Sequence, residues 1–143
     1  MRRYLDTSLI VAALVREAGT EAAKAYLTAT RDEFLLASRW ITTEFSSALA
    51  LKVRTGTITE TEQADILAMF RCFSATRLRL LDVESKDFDT AAGLCDRAAA
   101  PLRAGDALHL AVCKRMGARL ATFDNGMATA AERHGLPCDL LTA

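Results

Sequence analysis

The sequence is poor in the features that mark disordered, secreted or membrane-embedded chains. Only two of its 143 residues are proline. No low-complexity run or internal repeat interrupts it, so neither a linker nor a disordered tail is expected. No apolar stretch approaches the roughly 18 residues of a membrane span. Arg2 and Arg3 ahead of apolar residues invite a leader reading, but Asp6 breaks the run and residues 9–15 meet Arg16 without a cleavage pattern. Cys72, Cys95, Cys113 and Cys138 form no Cys-x-x-Cys pair and show no metal-ligand spacing. They read as small buried hydrophobes in a reducing cytoplasm. Neither sign of charge dominates: Lys plus Arg and Asp plus Glu both number 18. No global basic field announces nucleic acid, although a site that uses a metal ion to hold phosphate needs only local arginines.

What is present is apolar residue in quantity, 51% of the chain, enough to bury the core of one domain over residues 1–143. The first stretch sets the pattern. A short strand over residues 2–5 runs into a helix that starts near Ser8 and stops at Gly19, with Asp6 at the joint. Thr20 caps a second helix, 21–28. Residues 34–37 suit a strand buried on both faces, and Glu44 opens a third helix running to about Arg54. Thr59 and Glu62 form a capping box for a fourth helix reaching about Ala75. Residues 77–84 make a third strand, and Ser85 caps a fifth helix over 86–98 whose Asp87, Asp89 and Asp96 form a solvated face. Gly105 and Asp106 start a sixth helix that Gly117 ends. Residues 118–123 are a fourth strand, Asp124-Asn125-Gly126 leads into a last helix ending at His134-Gly135, and residues 136–141 add a short edge strand. Alternating strands and helices imply an α/β/α sandwich around a central, mostly parallel sheet of four to five strands.

Asp6, Glu44 and Asp124 directly follow strands, so they lie along the carboxyl edge of the sheet, where ligands bind. Asp106 precedes the fourth strand by a whole helix, so its helix starts at that same edge. Each acid alone reads as a helix cap or dipole partner contributing about 1 kcal/mol. Gathered together they repel, by roughly 4 kcal/mol for two carboxylates 4 Å apart at an effective dielectric near 20. A divalent cation among them offsets that repulsion. All-oxygen donors suit Mg²⁺ or Mn²⁺ rather than zinc, and such an ion is suited to phosphodiester hydrolysis.

Tyr4-Leu5-Asp6-Thr7-Ser8, then Glu44, then Arg103-Ala104-Gly105-Asp106-Ala107-Leu108-His109-Leu110-Ala111, then Thr122-Phe123-Asp124 resemble the acidic motifs of the PIN-domain nucleases. Chain length and the Asp-Ala-Leu-His-Leu-Ala string resemble the VapC-type toxins among them. The resemblance spans essentially the whole chain in order. It implies a PIN-like fold and a Mg²⁺- or Mn²⁺-dependent endoribonuclease of a type II toxin–antitoxin pair, with Asp6, Glu44, Asp106 and Asp124 as the catalytic, metal-holding quartet. It implies a VapB-type antitoxin that blocks the site, an RNA substrate, dimerisation through helices and no membrane association. Thr7 and Ser8 take the place of the hydroxyl that family members carry after the first acid, and Asn125 is a candidate to share the role of the fourth.

Other residues keep two readings. His109, one turn after Asp106, is either a site residue or a packed, hydrogen-bonded one. Arg103 either grips phosphate or antitoxin carboxylates or is solvated. Trp40 anchors the third helix or meets a partner. The apolar residues of the third and fourth helices, Phe45, Leu49 and Val53 with Ile66, Leu67, Met69, Phe70 and Phe73, face the domain's own core or leave surface for a partner. Of the functional alternatives, a PIN-like module that binds RNA or protein without cutting keeps the fold and drops the chemistry; the intact quartet argues against it. A phosphotransferase with Asp6 as nucleophile ranks last, because Ser8 stands where a second acid would be needed.

Overall fold

A computed structural model describes all residues 1–143. The chain runs β1 (Arg2–Leu5), α1 (Thr7–Leu14), α2 (Thr20–Ala29), β2 (Phe34–Ser38), α3 (Trp40–Arg54), α4 (Glu60–Arg77), β3 (Leu78–Leu81), α5 (Ser85–Asp96), α6 (Ala104–Arg115), β4 (Arg119–Thr122), α7 (Asn125–Arg133) and β5 (Cys138–Leu140). The five strands form one sheet in the order β3-β2-β1-β4-β5. Every pairing is parallel, so the sheet is wholly rather than mostly parallel. The strand order reverses at β1, with β2 on one side and β4 on the other. That is the switch point at which parallel sheets open a crevice at their carboxyl edge.

Strand side chains alternate between two faces, and each face has its own core. Leu5, Leu35, Ala37 and Ala121 pack on one side with Leu9 and Ile10 of α1, Ala23 of α2, Phe45 of α3 and Phe70 of α4. Tyr4, Leu36 and Leu120 pack on the other with Leu94 of α5, Leu110 of α6 and Met127 of α7. The result is the α/β/α sandwich. No helix is long and apolar enough to cross a membrane.

Several local expectations change. The first helix ends at Leu14, and Gly19 is the N-cap of α2 rather than a terminator. Thr20 does not cap; its hydroxyl donates to the carbonyls of Ala12 and Val15 and ties α2 to the end of α1. Helix α4 continues to Arg77, which shortens β3 to four residues. Glu84, not Ser85, is the N-cap residue of α5, and its N–H donates to the Asp87 carboxylate. Asp87 is accordingly buried, not solvated, and takes a two-oxygen grip from Arg115 Nε and Nη2 at 2.9 Å each. Burial opposes its ionisation, but Arg115 more than offsets this and holds its carboxyl below the usual range. Of the cysteines only Cys113 is buried; Cys72 and Cys95 are exposed. The apolar faces of α3 and α4 close on each other: Phe45 and Leu49 are fully buried, and Phe45 stacks on Phe70 with ring centroids 4.2 Å apart. Leu51 and Met69 remain exposed on these helices.

Candidate active site

Asp6 follows β1 directly and Asp124 follows β4 after Phe123, and they are the N-caps of α1 and α7. Asp106 is the third residue of α6, whose start lies at the same edge. Glu44 differs from expectation. The helix begins a turn earlier, at Trp40, so Glu44 does not open it but projects from its second turn. All four acids nevertheless line one cleft of about 290 Å³, together with Thr7, Ser8, Trp40, Arg103 and Gly105. Asn125 is not among them. It is exposed and lines a separate groove with Ala128, Thr129 and Leu136.

An account of the carboxylate oxygens shows which are committed. Asp6 Oδ1 accepts the Thr7 N–H at 2.7 Å, while its Oδ2 accepts the hydroxyls of Ser8 at 2.7 Å and Thr122 at 2.8 Å. Those hydroxyls in turn accept the backbone N–H groups of Phe123 and Asp124. The end of β4 is thereby locked to Asp6. Asp124 Oδ1 accepts the Met127 N–H at 2.9 Å, a capping bond, and leaves Oδ2 toward Arg103 at 3.6 Å. Glu44 Oε1 is bound by the Thr7 hydroxyl at 2.7 Å and by His109 Nε2. Asp106 has only Arg103, at 3.7 Å. Asp6 and Asp124 thus do cap helices, as single acids at these joints are expected to, whereas Asp106 caps nothing.

The electrostatics follow. Burial, and then the charges of Asp6 and Asp124, push the Asp106 carboxyl up to about 6, with Arg103 working against them. Glu44 goes the other way. Its burial opposes ionisation, but the hydrogen bonds from His109 and from the Thr7 hydroxyl hold its carboxyl below the usual range. Arg103, largely exposed, reaches over both Asp106 and Asp124, so an organic cation stands between two acids.

Under the cleft lies a buried polar chain that the sequence reading missed apart from His109. The Ser38 N–H donates to Tyr4 Oη at 3.0 Å, and Tyr4 Oη lies 2.6 Å from His109 Nδ1. Tyr4, Ser38 and His109 are all fully buried. His109 is thus packed and hydrogen-bonded, with the candidate acid Glu44 as one of its partners. Trp40 is a wall of the cleft. Its buried Nε1 makes no hydrogen bond of normal geometry but lies close enough to Glu44 to help hold that carboxyl low, and a Cβ on Gly105 would stand 2.8 Å from that nitrogen and 3.0 Å from Glu44 Oε2. Only glycine leaves that space open. The signal available in the sequence was the small residue directly before Asp106.

Whether these residues suit a hard divalent ion has a two-sided answer. As the side chains stand, no three acid, imidazole or thiol groups form a coordinating set, and Asp6 has both oxygens engaged. The donors are nonetheless all oxygen. Mg²⁺ is commonly held by only one or two carboxylates, with water completing its shell. An unpartnered indole N–H beside Glu44 Oε2, over a gap that a side chain would fill, is suited to an ordered water or phosphate oxygen. The residues fit an ion held through few direct ligands, not a closed cage.

Comparison with known proteins agrees with this architecture. The family model described as PIN domain matches residues 3–133. Among solved structures, VapBC2 from Rickettsia felis, bound to a DNA fragment from their promoter, aligns with a TM-score of 0.74 at 14% identity over 99% of this chain and 100% of that chain. The sarcin–ricin loop cleaving toxin VapC20 of Mycobacterium tuberculosis aligns at 0.70 and 21% identity, over 90% and 94%. FitAcB from Neisseria gonorrhoeae aligns at 0.73 and 18%, over 95% of each. At these identities the likeness is one of fold. No curated protein sequence matches the chain.

Proposed function

Because the chain belongs to the PIN-domain family, we propose that its acid-lined cleft is the active site of a divalent-metal-dependent endoribonuclease. The carrying observation is that four carboxylates, three from helix starts and Glu44 from the second turn of α3, line one 290 Å³ cleft. Asp6, Glu44, Asp106 and Asp124 would hold Mg²⁺ or Mn²⁺. Such an ion supplies positive charge for phosphate oxygens and eases deprotonation of an attacking water. The chain's own residues do the rest. Thr7 and Ser8 orient Glu44 and Asp6 by the hydroxyl bonds already described. Arg103 sits where it exchanges its acidic partners for a substrate phosphate, and the Trp40 N–H offers a donor at the cleft wall.

The solved neighbours include VapBC2 and FitAcB assemblies and a toxin that cleaves the sarcin–ricin loop. They support placing this chain as the toxin of a type II pair with a VapB-type antitoxin; in our reading it acts in the cytoplasm, forms a homodimer and is held inactive by that antitoxin. The test is direct. Purified protein is expected to cut RNA with Mg²⁺ or Mn²⁺, to stop with EDTA, and to leave 5′-phosphates, because water attacks rather than the ribose hydroxyl. Asp6→Asn and Asp106→Asn are expected to lose at least about 100-fold in rate, the scale of removing one site electrostatic group. Variants that cleave like the parent at equal folded fraction would remove the quartet from the reaction. One observation favours a non-cleaving RNA-binding module instead, the lack of a ready three-donor set; RNA bound but uncut at saturating Mn²⁺ would decide for it.

A further inference from the structure

The buried chain under the cleft has a direction. Tyr4 Oη accepts the Ser38 N–H at 3.0 Å, has the Ser38 side chain nearby, and lies nearest to His109 Nδ1, at 2.6 Å. Tyr4 is fully buried, and a phenol carries its proton at neutral pH. A buried hydroxyl proton needs an acceptor, and His109 Nδ1, at 2.6 Å, is the nearest one. The Nδ1 lone pair is therefore used, and the ring proton stands on Nε2. That N–H faces Glu44 Oε1, with Thr7 Oγ1 at 3.3 Å beside it. Thr7 gives its own proton to the same Oε1 at 2.7 Å. Two donors thus saturate Glu44 Oε1, and Oε2 is left beside Gly105 and Trp40 at the cleft wall.

We infer that Ser38, Tyr4 and His109 form a positioning relay that fixes the His109 proton on Nε2 and turns Glu44 so that a single oxygen, Oε2, serves the cleft. This rests on the cleft being a metal site, and it makes His109 a positioning residue: it touches neither substrate nor ion. Outer partners that orient a metal-binding carboxylate typically change metal affinity by about 10- to 100-fold when removed. The chain spans the molecule's two halves, since Tyr4 lies in β1, Ser38 ends β2 and His109 lies in α6. It therefore also sets where α6, with Asp106, stands relative to α3, with Glu44.

The experiment uses the full-length protein and Mn²⁺ alone. The chain has two histidines, His109 and His134, so long-range ¹H–¹⁵N spectra of the rings resolve each. His109 is expected to show a proton on Nε2 and a bare, hydrogen-bonded Nδ1. Calorimetric Mn²⁺ affinity is expected to fall by about tenfold or more in His109→Leu, with His109→Gln, which keeps a donor near the Nε2 position, recovering part of the loss. A ring proton on Nδ1, or a folded His109→Leu that binds Mn²⁺ like the parent, would overturn the relay; equal losses in the Leu and Gln variants would reduce His109 to packing. Should His109→Leu fail to fold, Tyr4→Phe decides. It is expected to shift the Nδ1 resonance toward that of an unbonded lone pair and to weaken Mn²⁺ binding, and an unchanged Nδ1 resonance would refute the relay. A parent that binds no Mn²⁺ would instead refute the metal reading, while the ring spectra still judge the relay's geometry.

Discussion

Asp106 is the acid without hydrogen-bonded support, and its stability sign follows from that. Its folded pKa is raised from 3.8 to about 6, by burial first and then by the charges of Asp6 and Asp124. For a carboxyl raised on folding, the folded state binds the proton more tightly than the unfolded chain. The group costs nothing below the unfolded pKa, begins to destabilise as pH rises through it, and exerts its full cost above the folded value. At 1.36 kcal/mol per unit, and allowing for Arg103 and solvent at the cleft mouth, that cost is roughly 2–3 kcal/mol. Asp106→Asn is therefore expected to raise the melting temperature of the EDTA-treated protein by several degrees at pH 7.5 and to leave it nearly unchanged at pH 4. A variant destabilised at both pH values would mean that Asp106 supports α6 rather than straining it. Asp87 is a counter-example of the same residue type. It is a buried acid whose folded pKa is lowered, so its contribution is present at neutral pH and fades as pH falls. The sequence shows both as helix acids and does not separate them, because the difference lies in Arg115, 28 residues away.

At the scale of elements, the joints between strands and helices were legible and the helix faces were not. Asp6 and Asp124 stand at strand ends before apolar-periodic runs, and both cap as such residues should. The start of α3 was misplaced because the chain turns helical at Trp40 without an acid, its first N–H taken by the Ser38 hydroxyl at 3.2 Å. The wide apolar faces of α3 and α4 admitted either a partner or the core. The structure puts Phe45, Leu49, Ile66 and Phe70 in the core, so substitutions there probe folding rather than partner binding. Phe45→Ala is expected to cost about 3–5 kcal/mol in urea unfolding, as for other fully buried rings. Leu51→Glu and Met69→Glu, on exposed positions, are expected to stay within about 0.5 kcal/mol of the parent. A well-tolerated Phe45→Ala would mean that the two helices do not pack as described. The relay was illegible for a related reason: Tyr4 and His109 are 105 residues apart, and only the parallel order β2-β1-β4 brings them together.

For the whole molecule, charge balance and fold pull apart. Formal net charge is zero, so the domain has no long-range field of either sign to draw in RNA, yet its topology collects four acids at one edge. Without a cation that concentration is a stored cost, relieved only in part by Arg103 over Asp106 and Asp124. A ligand that binds only the folded state stabilises it by RT ln(1 + [L]/Kd), about 2.7 kcal/mol at a hundredfold excess over Kd. For a domain of this length that is a rise of roughly 5–10 °C in melting temperature. Mg²⁺ is therefore expected to raise the melting temperature of the parent over its value in EDTA, and to raise that of Asp106→Asn by less, since the variant has lost both the repulsion and a donor. NaCl matched in ionic strength separates binding from screening, because screening relieves exposed charges with any salt. If NaCl matches Mg²⁺ in the parent, the acids are merely crowded and hold no ion. If Mg²⁺ alone stabilises, and does so less in the variant, the four acids at this sheet edge have built a cation site.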